Sequence, residues 1–230
     1  MGASGFSKTA QWIKDNESDV NKLFNYYFKR RIDDKSRNVV HGQHFEWFAN
    51  RVSRDCFTEV DLAAIGALSV ELKAQTAREL IEDSDGVLKG LLGECELWVA
   101  SHGADLSDSN LSSEWLKKGS SFNRLWDELV KKERIGLGGV KASKLMAAKY
   151  PGLVPIYDSQ VSGLLGVTDK DPWWKPMREL VIEVKPVLDR LKLARDDIQV
   201  TTLRKLDVVL WMKAHKRLSR LALDSAVVDC

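Results

Sequence analysis

The chain has 230 residues, 44% of them hydrophobic and 30% charged, and a net charge of +2; this is ordinary globular composition and excludes disordered, collagen-like and disulfide-scaffold classes. No apolar run approaches the ~18 residues that span a bilayer. The first residues carry neither a signal-type apolar region nor a myristoylation pattern, since Phe6 stands where Ser or Thr is required, so a soluble cytoplasmic protein without membrane partners is expected.

In chain order, Val20, Leu23, Phe24, Tyr27 and Phe28 repeat at helical spacing, and Phe45, Phe48 and Val52 continue the pattern. The run from Ser53 to Cys56 marks a break. Thr58 followed by Asp61 then reads as a capping box that opens a helix carrying Leu62, Ile65, Leu68, Ser69 and Leu72. Further helices are predicted over 86–100, 121–132, 140–149, 172–193 and 201–221, and the aromatic stripes, Trp47 and Trp211 included, are expected in the core. Strand patterning is missing and all five prolines follow residue 150, so the predicted class is all-α.

Three cysteines, Cys56, Cys95 and Cys230, are too far apart for a disulfide framework or an iron–sulfur cluster. His41 and His44 can share a helical face, but the surrounding sequence supplies no further ligands, so they read as polar or pocket residues and no metal or cofactor is expected. Charge is unevenly spread. Residues 57–114 hold 12 acidic and 3 basic side chains, whereas 117–150 hold 9 basic and 3 acidic ones, which makes the second stretch the first place to seek a polyanion.

Within that basic stretch a helix runs into Gly136, Gly138 and Gly139 and out into a second helix with Ala142, Leu145, Met146 and Lys149 at helical spacing. Glycines admit a phosphate close to the backbone, and the N–H groups that open the second helix point at it with the positive end of the helix dipole. Because the loop follows a helix instead of a strand, it is not a dinucleotide-binding fingerprint. Downstream come Pro151, Gly152 and Pro155, then Asp158 just before a helix predicted to start at Ser159.

Helix, glycine hairpin, helix, Pro-containing loop and aspartate together resemble the helix-hairpin-helix DNA glycosylases. Gly136-Leu137-Gly138 matches the hairpin, Ala142 the alanine that follows it, and Asp158, sixteen residues beyond Ala142, the catalytic aspartate. The resemblance implies a two-lobed fold with the active-site cleft between the lobes, residues 56–150 forming the hairpin lobe and 1–55 with 151–230 the other. It implies double-stranded DNA holding a modified base as partner, a monomeric protein, and backbone contacts from Gly136, Gly138, Gly139, Val140, Lys141 and Lys144. Ile135 replaces a proline common before the hairpin. Val140 stands where strand-cleaving relatives carry a Schiff-base lysine, so a monofunctional, hydrolytic enzyme without lyase activity is implied.

In that chemistry the departing base leaves oxocarbenium-like charge on the sugar, which a carboxylate beneath the ring stabilises while it orients water. Asp158 can equally serve as a plain helix N-cap. The target nucleotide must be flipped into a pocket, for which Tyr26, Tyr27, His41, Gln43, His44, Glu46, Trp47 and Gln160 are the candidates. The segments 57–70, 142–161 and 201–212 are similar to a bacterial branch of the superfamily that includes a phage-defence enzyme acting on glucosylated hydroxymethylcytosine in viral DNA. Two alternatives stay open: a repair glycosylase for alkylated or deaminated host bases, and a non-catalytic DNA-binding module.

Overall fold

The structure, a computed structural model, describes residues 5–29, 40–131, 137–167, 173–193 and 197–224. Among these residues every regular element is helical. Helices α1 (Gly5–Asp15) and α2 (Glu17–Phe28) are followed by a 3-10 turn (His41–His44), α3 (Phe45–Ala49), α4 (Glu59–Ala67), α5 (Ala74–Glu82) and α6 (Val87–His102). Then come α7 (Ser121–Val130), α8 (Gly138–Lys149), α9 (Ser159–Leu165), α10 (Trp174–Arg190), α11 (Thr202–Ala214) and α12 (Lys216–Asp224). No helix among the described residues is long and apolar enough to cross a membrane.

Packing partners fall into two groups. Helix α1 lies on α9 and α10, α2 on α11 and α12, and α11 on α9 and α10; meanwhile α3 and α4 lie on each other and on α8, and α7 bridges α8 to α6. The 3-10 turn touches α2, α3 and α4 and so joins the groups. One hydrophobic cluster, from Ala10 to Ala222, runs through both, with a smaller one where Phe45, Ala49 and Ala64 meet Ala147, Ala148 and Ile156.

Two helices are buried over most of their surface, charged residues included. In α11, Leu203, Leu206, Val208, Val209, Leu210 and Met212 are all buried. Its N-cap Thr201 accepts from Arg204 N and donates its hydroxyl to Pro151 O at 2.7 Å, which fastens the helix to the chain leaving α8. In α8 every residue from Ala142 to Lys149 is buried, and the small side chains of Ala142, Ala147 and Ala148 admit close neighbours. A buried cation closes its C-terminal end: Lys149 Nζ donates to Ser53 O and Cys56 O, both at 2.6 Å, and to Asp61 Oδ2 at 2.8 Å. Asp61 also accepts from Thr58 N, so the capping box read from the sequence is present and its carboxylate does double duty.

Several sequence expectations are corrected. The helix expected to carry Leu68, Ser69 and Leu72 ends at Ala67, because Ser69 takes a positive φ of 58°. The single helix expected over 201–221 breaks at His215, whose non-helical backbone (φ −84°, ψ 83°) separates α11 from α12. Trp47 is not core: it is 40% exposed, with the Arg51 guanidinium 4.0 Å above its ring.

Candidate functional site

The chain between α8 and α9 is buried yet irregular, which requires partners for its backbone polar groups. They are present. Gly152 O accepts from Leu106 N, Tyr157 N donates to Ser143 Oγ at 3.1 Å, and Ile156 N donates to Asp207 Oδ2 at 3.3 Å. A Cβ on Gly152 would lie 2.3 Å from Ala104 O, so glycine is required there by contact alone. This fixed segment delivers Asp158 to the N-cap of α9, where Oδ1 accepts from Gln160 N at 2.9 Å.

Asp158 lines a cavity of about 260 Å³, just below the ~300–1,000 Å³ of drug-sized ligand sites and suited to a small planar group. Its walls come from α2 (Tyr27), the end of α4 (Leu68, Ser69), α8 (Lys144), α11 (Arg204, Asp207, Trp211) and the start of α12. Lys144 Nζ lies 3.6 Å from Asp158 Oδ2 and donates to Leu68 O at 3.2 Å. Burial pulls the Lys144 ammonium below the ordinary lysine range, and the Asp158 carboxylate opposes that shift.

Opposite this pair sits a second charged group. Arg204 donates Nε and Nη2 to Glu46 Oε1, at 3.0 and 2.7 Å, and Nη1 to Asp207 Oδ2 at 3.4 Å; all three residues are almost wholly buried. Burial works against the guanidinium's charge, but Glu46, Tyr27 and Asp207 together hold its pKa above the ordinary value. Burial pushes the Asp207 carboxyl up to about 7 against the pull of Arg204. Burial, reinforced by Glu46, also drives the Tyr27 phenol far up, so it stays a neutral hydrogen-bonding group. The phenol is tightly seated: a Cβ on Gly42 would come within 2.3 Å of its oxygen.

The sequence-predicted site residues divide accordingly. Asp158, Lys144 and Tyr27 meet in the cavity, and Glu46 stands behind it as the Arg204 partner. Gln43 is buried with its Oε1 unbonded, Tyr26 is half-buried against the core, and Gln160 is exposed. His44 and Trp47 line a separate shallow groove with Phe48. His41 opens the 3-10 turn and its side chain lies outside the described atoms; Gly136 lies outside the described residues. Among the described residues no cluster of His, Cys, Asp and Glu is arranged to hold a metal ion.

Helices α7 and α8 pack together across the hairpin segment. Gly138, the first residue of α8, has φ +68°, where a side chain is strained. With Gly139, Val140 and Lys141 it borders an open depression of about 900 Å³ that also touches Ser69 and Lys144. Depression and cavity therefore share two wall residues. Lys141 Nζ donates to Glu71 O at 2.8 Å, whereas Lys144, which the resemblance gives as a DNA-backbone contact, turns inward to Asp158.

Sequence reasoning missed the α11 contribution. Arg204, Asp207, Val208, Trp211 and His215 fall at i, i+3, i+4, i+7 and i+11, which is one helical face, and that face is the cavity wall. The legible signal was two opposite charges three apart on a face that continues through Val208 and Trp211.

With this architecture in place, the chain can be assigned to a family: it belongs to DUF6308, described as a family of unknown function, whose profile matches residues 20–214. The match spans α2 through α11 and so includes the whole candidate site except its α12 edge. No curated protein and no solved structure matches the chain.

Proposed function

We propose that the protein is a monofunctional DNA glycosylase that hydrolyses the N-glycosidic bond of a modified base flipped into the cavity and leaves an abasic site. The observation that carries this reading is the position of Asp158, a carboxylate fixed by its own N-cap bond on the wall of a small cavity, 3.6 Å from Lys144 of α8. In the mechanism, DNA backbone rests in the depression at Gly138, Gly139 and Val140, where the α8 N–H groups and dipole meet a phosphate. The flipped base enters the cavity. Asp158 faces the sugar, stabilises the developing positive charge and orients the attacking water, while Lys144, 3.6 Å away, helps to hold the carboxylate in place. The two helix groups act as the two lobes that flank the DNA.

The substrate we favour is glucosylated 5-hydroxymethylcytosine in phage DNA, which makes the cellular role antiviral. Cavity and depression share Ser69 and Lys144, and it is toward these two residues that we place the bulky base substituent. A monomer in the cytoplasm suffices for this role. Duplexes carrying a panel of modified bases, treated with the protein and then with alkali, test the reading: strand breaks at one modified base support it. Tight DNA binding with no alkali-labile product from any base would leave a non-catalytic DNA-binding module, and release of only alkylated or deaminated bases would make the enzyme a repair glycosylase.

One observation favours a second reading of the nucleophile. Lys144 brings a primary amine of lowered pKa within 3.6 Å of Asp158, so an amine able to attack the sugar is at the site although Val140 is not one.

A further inference from the structure

Asp207 spends only half of its carboxylate on the protein. Oδ2 accepts from Ile156 N and from Arg204 Nη1, and no bond within the described residues reaches Oδ1, although the side chain is only 5% exposed and lines the cavity. The neighbouring Arg204 guanidinium spends three of its five N–H groups, one each on Nε, Nη1 and Nη2, on Glu46 and Asp207, and none of these bonds uses Asp207 Oδ1. The cluster holds two carboxyl groups against one guanidinium. A ligand that brings an N–H donor to Oδ1 completes the carboxylate's bonding, and one that brings a carbonyl there sets two acceptors face to face. Above this polar floor the wall is aromatic: Trp211 lies edge-on to Tyr27 at 6.0 Å and 5.2 Å from the His215 ring, a surface for a flat heterocycle.

We propose that Asp207 is the specificity-determining residue of the cavity and that it selects a planar base bearing an exocyclic amino group, of the cytosine or adenine class, over the matching base that bears a carbonyl there. This deepens the glycosylase reading and rests on it only for the statement that the base is excised. Recognition itself requires the cavity, Oδ1 and the aromatic wall.

The test uses the full chain with two readouts. The first is single-turnover base release from duplexes matched except for amino against carbonyl: 5-hydroxymethylcytosine against 5-hydroxymethyluracil, with and without glucose, and adenine against hypoxanthine. The second is binding of cytidine, uridine, adenosine and inosine, followed by quenching of tryptophan fluorescence. Wild type should favour at least one amino member over its carbonyl partner by ~10-fold or more, the worth of one hydrogen bond to a charged group. Asp207→Asn, which offers an amide in place of the carboxylate, should cut that ratio by a similar factor while leaving binding to undamaged duplex unchanged. Should the variant fail to fold, the ratios of wild type alone decide. Base release at equal rates for both members of every pair overturns the selection and leaves the glycosylase intact. Nucleoside discrimination that depends on Asp207, with no base released from any duplex, supports the selection and removes the glycosylase. An amino preference that persists undiminished in Asp207→Asn overturns the assignment to this residue, and absence of both release and nucleoside binding overturns both proposals.

Discussion

Lys144 Nζ stands 3.6 Å from Asp158 Oδ2, the first contributed by the middle of α8 and the second by the cap of α9. Two consecutive helices, joined by a buried irregular segment, thus present a cation and an anion to the same small space. Catalysis and helix capping make different demands on Asp158, which allows them to be separated. Asparagine caps a helix about as well as aspartate, so Asp158→Asn should move stability by no more than ~0.5 kcal/mol from the cap itself. Base release, which needs the negative charge, should fall at least ~100-fold. Urea melts and single-turnover assays on the same preparation check both; equal release rates would remove Asp158 from the chemistry.

Water and amine as nucleophiles leave different products. Under the hydrolytic mechanism, strands remain intact until alkali is added, and borohydride traps no protein–DNA adduct. Lys144→Gln should then reduce the rate by weakening the hold on Asp158, without changing the product. A trapped adduct that disappears in Lys144→Gln and persists in Lys141→Gln would replace the water with Lys144, one helical turn beyond the position the sequence pattern assigns to such an amine.

Arg204 neutralises two buried carboxyl groups, so its removal leaves charge without a partner. Arg204→Met should cost about 3–5 kcal/mol in chemical unfolding. Adding Glu46→Gln to that variant should restore part of the loss, since the orphaned charge is removed with it. Additive losses in the double variant would mean that the ion pair is not the origin of the cost.

The raised carboxyl of Asp207 has a stability signature with a definite sign. Its folded pKa of about 7 lies above the unfolded value near 4, so the native state binds the proton more tightly. Its contribution is then complete below about pH 4 and is lost as pH rises toward 7. Relative to Asp207→Asn, wild type should lose ground in Tm across that window and hold steady above it. A constant Tm difference from pH 4 to pH 8 would place the carboxyl in its ordinary range.

Much of the framework could be read from the chain because it depends on local chemistry. The capping box at Thr58 and Asp61, the helix from Ser121, and Asp158 as the residue opening α9 all follow from side chains acting within a few positions of themselves. Lys144 and Trp47 were misjudged because their places depend on what lies across from them. An inward turn of Lys144 requires a carbonyl at Leu68 and a carboxylate at Asp158, 76 and 14 residues away, and helical spacing carries no trace of either. The α11 face was hidden for the same reason: Glu46, 158 residues from Arg204, is what makes a charge acceptable inside that helix.

Helix α8 also works as a ruler. It borders the open depression at Gly138 and reaches the cavity at Lys144, and since every residue from Ala142 onward is packed in, the span cannot stretch or bend. Six residues at the helical rise set it at about 9 Å. The dimension is carried by peptide geometry alone, so side-chain changes on either surface leave the two in register. Inserting a single residue after Ala142 would swing Lys144 by about 100° and carry the amine out of the cavity, while the glycines at the other end kept their place.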